Sequence, residues 1–207
     1  MSTSTPSQAW QEMLRGNERF IEGAPQHPRQ DVERREELAF KQEPDAALFG
    51  CSDSRLAAEI IFDKGIGDLF VVRNAGQVIS DSVVGSLEYA VSVLGVPLIV
   101  VLGHDECGAV RAAIDSVGKD APALPPHIAS LVSKIVPAVK RVSAAQPDHA
   151  IDSHDVGREH LRDTIAELLA SSELITDAIA AGTLAIVGAN YRLREGRAVP
   201  DVVVGQI

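Results

Sequence analysis

The sequence predicts an α/β fold: a mostly parallel sheet with crossover helices, an antiparallel edge strand and an N-terminal helical arm. Two short apolar runs, 46–49 and 97–102, read as buried strands, and each is followed by a helical pattern. A third run, 69–73, lies between them with a helical stretch on either side, the alternation that parallel strands with crossover helices require. A last strand, 184–192, runs into Glu195-Gly196, a turn pair that suits a hairpin and so an antiparallel edge.

The elements follow in order. Residues 8–21 read as an amphipathic helix with Trp10, Leu14, Phe20 and Ile21 toward one side, and a second helix is expected over 31–40. Both precede the sheet without a strand of their own, which separates an N-terminal arm, 1–40, from an α/β core, 41–207, within one domain, 1–207. A helix over 56–63 follows the first strand and is closed by Gly65 and Gly67. Val83, Leu87, Ala90, Val91 and Leu94 lie at helical spacing in 82–94, and Gly95 and Pro97 end that helix. Further helices are expected at 109–117, at 127–142 after the Pro-rich loop 119–126, and at 153–181. No repeat or low-complexity tract interrupts the chain.

At 207 residues and 45% apolar composition, with mean hydropathy near zero, the chain can bury a sizeable core. Lys and Arg number 19 against 29 Asp and Glu, a net charge of −10. Nucleic acid and anionic membranes reward basic patches, so neither is expected as a partner. No apolar stretch approaches the ~20 residues of a membrane span, and the first eight residues are polar without a signal-peptide pattern, so the expected location is the cytoplasm.

Chemistry concentrates where two strands end. The first gives way to Cys51-Ser52-Asp53-Ser54-Arg55 and the other to His104-Asp105-Glu106-Cys107. In an open α/β sheet, functional groups gather beyond the carboxyl ends of the strands, so neighbouring strands would unite these motifs. Two thiolates and one imidazole suit zinc, and His104-x-x-Cys107 lets one turn supply two ligands. Three ligands leave a position open, the pattern of catalytic sites, and two cysteines cannot build a four-cysteine cage. Two other readings stay open on the residues alone: a Cys51–Cys107 disulfide, and two unrelated buried thiols. Asp53 is either a helix cap or, paired bidentately with Arg55, a carboxylate held beside the metal yet off it. Gly108 can bring its backbone N–H close to a bound anion, though a tight turn would equally explain it.

Cys-Ser-Asp-Ser-Arg at 51–55, Val-Arg-Asn-Ala-Gly at 72–76 and Gly-His-x-x-Cys-Gly at 103–108 together resemble the β-class carbonic anhydrases in order and spacing. The similarity runs from Trp10 to the last strand. The resemblance implies one zinc ion per chain on Cys51, His104 and Cys107, and a zinc lyase that reversibly hydrates carbon dioxide to bicarbonate and a proton through a zinc-bound hydroxide. Asp53 would accept the hydroxide hydrogen, or in a closed state leave Arg55 and become the fourth zinc ligand. Gln42, followed by Pro44, matches a glutamine that reaches into a neighbouring subunit's site to bind substrate oxygen, and Phe70 and Tyr89 match apolar substrate-pocket positions. The N-terminal arm would wrap a second subunit, giving a homodimer or a dimer of dimers. Leu48 stands where the bicarbonate-inhibited members carry a Trp, which argues against that form of regulation here. Two thiolates neutralise the zinc charge, so its water should be less acidic than the value near ~7 on three-histidine zinc, and activity should climb through mildly alkaline pH.

Two rivals use the same ligands: hydrolysis of carbonyl sulfide or carbon disulfide, and a non-catalytic module in which zinc only staples the fold. A phosphatase-type loop is excluded, since it needs more residues between Cys and Arg than the three present. His27, His127, His149, His154 and His160 lie in polar or loop-like surroundings and are expected to face solvent, with Asp105 and Glu106 solvated or supporting the ligands.

Overall fold

The computed structural model describes residues 4–145 and 150–207. Five strands form one sheet in the order β2-β1-β3-β4-β5: β1 (Ala46–Cys51), β2 (Leu69–Asn74), β3 (Leu98–His104), β4 (Ala185–Arg192) and β5 (Arg197–Val204). The first four run parallel and β5 returns antiparallel along β4, so the expected α/β architecture is the observed one. β1 and β3 are buried along their whole length, as strands covered on both faces must be.

One face is covered by α1 (Pro6–Ile21), α3 (Ala58–Ile61), α5 (Gly108–Ser116), α6 (Pro126–Ser133) and α7 (Val136–Ala145), whose apolar sides meet Leu48, Val100 and Leu102 of the sheet. The opposite face meets α4 (Asp81–Ser92), α8 (Ser153–Ser171) and α9 (Glu173–Ala180) through Ala47, Phe49 and Val101. In the arm, α1 is capped by a reciprocal Thr5/Gln8 box and buries Trp10 and Met13. Its Asn17 donates to the carbonyls of Ile61 (3.1 Å) and Gly196 (2.8 Å) and accepts from the Ala198 N–H (2.9 Å), fastening the arm to the body of its own chain. After α2 (Val32–Glu37), chain 41–45 leads into β1.

Several boundaries differ from expectation, each for a local reason. β1 and β3 run on to include Cys51 and His104, because Cys51 still pairs with Asn74 and His104 with Tyr191. The helix expected over 153–181 breaks at Ser172, whose extended backbone lets its hydroxyl accept from the Ile175 N–H and cap α9. The helix expected over 127–142 divides before Val136 because Pro137, in the first turn of α7, lacks an N–H and cannot sit in a helix interior. The helices expected over 56–63 and 31–40 shorten to α3 and α2.

Candidate metal centre

β1 and β3 are neighbours, so their carboxyl ends lie side by side and the two motifs converge. Cys51, His104 and Cys107 offer ligand atoms that all lie within 4.8 Å of one another, and all three residues are buried. No other group of this kind occurs among the described residues. The cysteines are free, which disposes of the disulfide reading in this structure, and their shared location disposes of the reading as unrelated core thiols.

The imidazole is aimed by its own turn. His104 Nδ1 lies 2.7 Å from the Asp105 carbonyl oxygen and so carries the proton it donates there. That leaves Nε2 as a bare acceptor, buried and without a hydrogen-bond partner among the described residues. A buried orphan nitrogen beside two thiols is what a soft cation satisfies, and a histidine fixed through its other nitrogen is the usual metal-ligand arrangement. The Cys107 thiol pushes the Cys51 pKa down, aided by His104 and the Gly76 N–H, while Cys51 and burial push that of Cys107 up.

Asp53 and Arg55 form the bidentate pair that the sequence suggests. Arg55 Nε donates to Asp53 Oδ1 at 2.9 Å and a terminal guanidinium nitrogen to Oδ2 at 2.7 Å, while the Arg55 backbone N–H also reaches Oδ1, at 2.9 Å. This guanidinium, more than any other group, holds the Asp53 carboxyl far below the usual carboxylate range. Asp53 Oδ2 faces His104 Nε2 at 4.0 Å, and Arg55 is braced from behind by the Glu106 carbonyl at 3.1 Å. The structure therefore has Asp53 paired and outside the three-ligand cluster.

Other candidate residues separate into those at the centre and those elsewhere. Gly108 follows Cys107 at the start of α5 and is exposed, with open space where a Cβ would project. Gln42 is exposed before the amino end of β1, whereas Cys51 is at the carboxyl end, roughly 16 Å along the strand. Phe70 and Tyr89 pair ring to ring at 6.1 Å beside the β2 edge, with Phe70 level with Ala47, roughly 13 Å short of Cys51. None of these three meets its own chain's cluster.

His27 and His127 face solvent as expected, and His154 is half-buried against Arg192. His149 lies outside the described residues. His160 corrects the expectation of exposure: it is 3% exposed and its Nε2 lies 2.7 Å from the Gly76 carbonyl. The signal was its i, i+4 spacing between Val156 and Thr164, which puts it on the inward face of α8. Arg73, whose role the sequence pattern does not signal, donates to the carbonyls of Cys51 (3.0 Å) and Asp53 (2.6 Å), fixing the first motif's backbone. Asp105 accepts the Leu193 N–H at 3.0 Å, so it supports the turn rather than standing free in solvent.

An open, mostly parallel sheet that presents two thiols and an imidazole on adjacent strand ends, with a paired carboxylate beside them, defines an α/β enzyme with a metal-binding centre. The family model described as "Carbonic anhydrase" matches residues 46–198. "Carbonic anhydrase 2" of Mycobacterium tuberculosis is 48% identical, covering 100% of this chain and 98% of that protein, and a carbonic anhydrase of Mycolicibacterium smegmatis is 45% identical over 95% and 94%. Among solved structures, one of two tetrameric β-carbonic anhydrases from Sordaria macrospora shares the fold with a TM-score of 0.71 at 23% identity, covering 93% of this chain and 96% of that one. The chain belongs to the β-class carbonic anhydrases, the enzymes of carbon dioxide hydration.

Proposed function

We propose that the chain hydrates carbon dioxide reversibly at a zinc ion held by Cys51, His104 and Cys107. The observation that carries this reading is the buried cluster itself: two thiols and an unpartnered imidazole nitrogen within 4.8 Å. Zinc there supplies Lewis acidity, activating water as a nucleophile near neutral pH. The remaining roles belong to the chain. Arg55 keeps Asp53 ionised and acceptor-only, with Oδ2 turned toward the ligands, so the carboxylate orients a hydrogen donor without taking the fourth position. Because the pair holds Asp53 far below ordinary carboxylate values, mild acid does not detach it by protonating Asp53. Gly108, exposed beside Cys107, would offer its backbone N–H to the anionic product.

The position of Gln42, too far along β1 to serve its own chain, supports a composite site in which it serves a second copy, with Phe70 and Tyr89 at the subunit boundary. Exposed apolar side chains such as Phe40, Tyr89 and Val93 support an assembly of copies, as does the tetrameric state of the Sordaria enzyme. The assembly is then a homodimer or a dimer of dimers. No helix among the described residues is long and apolar enough to cross a membrane, which accords with a cytoplasmic enzyme.

Stopped-flow hydration on zinc-loaded and chelator-stripped protein tests the reading, with carbonyl sulfide hydrolysis followed in parallel. Hydration should rise through mildly alkaline pH, vanish on stripping and return with zinc. One tightly bound ion without hydration would move the assignment to the sulfur substrate if that is turned over, and to a zinc-stapled module if it is not.

A further inference from the structure

Segment 74–78 touches the metal centre through one backbone donor, the Gly76 N–H, which lies 3.4 Å from Cys51 Sγ. The same residue is gripped from the far side: its carbonyl accepts from His160 Nε2 at 2.7 Å, across a sequence gap of 84 residues. One turn further along α8, Thr164 Oγ1 lies 3.2 Å from the Gln77 carbonyl and 2.9 Å from that of His160, extending the grip to the next residue. Gly76 has φ +78°, and a Cβ on it would come within 2.8 Å of the Ala109 Cβ, so only glycine fits this clamped position.

His160 is an expensive choice for the place it occupies. Its neighbours on the buried face of α8 include Val156, Leu161 and Ile165, and its Nδ1 is buried with no partner among the described residues. An apolar side chain would avoid that penalty. What the imidazole supplies in return is the bond to Gly76, and burial pushes its pKa down so that it stays neutral, with Nε2 carrying the donated proton.

We infer that His160 is a positioning residue of the metal centre: by holding the Gly76 carbonyl it aims the Gly76 N–H at the Cys51 sulfur and moderates that thiolate as a ligand. A thiolate that accepts a hydrogen bond is a weaker electron donor, so releasing Gly76 strengthens donation while loosening the ligand's placement. The inference rests on the Cys51, His104, Cys107 metal reading.

Cobalt-substituted protein tests it, with Phe and Gln at position 160. In H160F the thiolate-to-cobalt charge-transfer band should move to longer wavelength, and metal release to a chelator should accelerate about tenfold, as loss of an outer support typically does. H160Q, whose amide can reach the same carbonyl, should return both values toward wild type. If H160F does not fold, H160M offers a donor-free and more adaptable side chain for the same measurements. A variant with a lowered melting temperature but an unchanged band and release rate would overturn the inference, since that is the mark of simple core filling. Wild type that takes up no cobalt or zinc would overturn the metal reading, and this inference with it.

Discussion

Asp68 and Asp53 are each clasped by an arginine, and they serve different ends. Asp68 opens β2 from the turn after α3; its carboxylate accepts a bidentate pair from Arg29 and the Gly65 N–H, and its side chain is 4% exposed. Asp53 is clasped as firmly by Arg55, yet its side chain keeps 17% exposure and turns Oδ2 toward an imidazole nitrogen that has no hydrogen-bond partner among the described residues. One carboxylate spends its acceptors on neighbouring loops and so fastens the arm; the other keeps one side toward an unfinished site. An ion pair in itself says nothing about function. What distinguishes the second is the unsatisfied atom across from it.

The comparison can be broken from the Asp53 side first, where the largest effect is expected. Asp53→Ala should lower hydration activity about 100-fold, the lower end for a group that handles protons, with little change in melting temperature. Equal losses of activity and stability would make the two aspartates alike. Arg55→Lys keeps the charge but removes the bidentate clasp, and a loss of roughly tenfold in kcat is expected because the carboxylate is then held less well. Asp68→Asn should do the reverse: activity per bound metal unchanged, and stability in urea lowered by about 2 kcal/mol, since the pair is half-open on the Arg29 side.

Acid titration sharpens the contrast further, by the smallest effect. Burial alone would raise Asp68, but the Arg29 and Gly65 bonds outweigh it and leave the carboxyl below its usual value. The stability this contributes is complete above the unfolded carboxylate pKa of about 3.9 and is lost as pH falls through the lower folded value. Urea unfolding between about pH 5 and pH 3 should therefore fall more steeply in wild type than in Asp68→Asn.

Most of this arrangement was legible in the chain because its signals are local. Apolar runs ending in Cys51 and His104 mark buried strands, and strand ends in such sheets mark the site. The Asp53-x-Arg55 spacing similarly forecasts its own ion pair. Other features depend on what lies opposite in space. His160 reads as a surface histidine beside Glu159 and Arg162 until α8 is docked and its Val156/Thr164 face turns inward. Arg73 has no local partner at all, since the carbonyls it binds belong to the neighbouring strand's end. Helix breaks at Ser172 and before Pro137 were legible in principle, from a cap residue and an imino acid, but continuous apolar periodicity outweighed them.

The pairing of β1 with β3 has a consequence for how the molecule stands up to heat. The ends of these strands lie side by side although α3, β2 and α4 separate them in the chain, so the full set of Cys51, His104 and Cys107 is assembled only in the folded chain. A cation captured there would close a loop of about fifty residues and favour the native state, with stabilisation that grows as the logarithm of its free concentration. On the proposed metal reading, the melting temperature should therefore rise with the metal supplied, a gauge readable without any substrate.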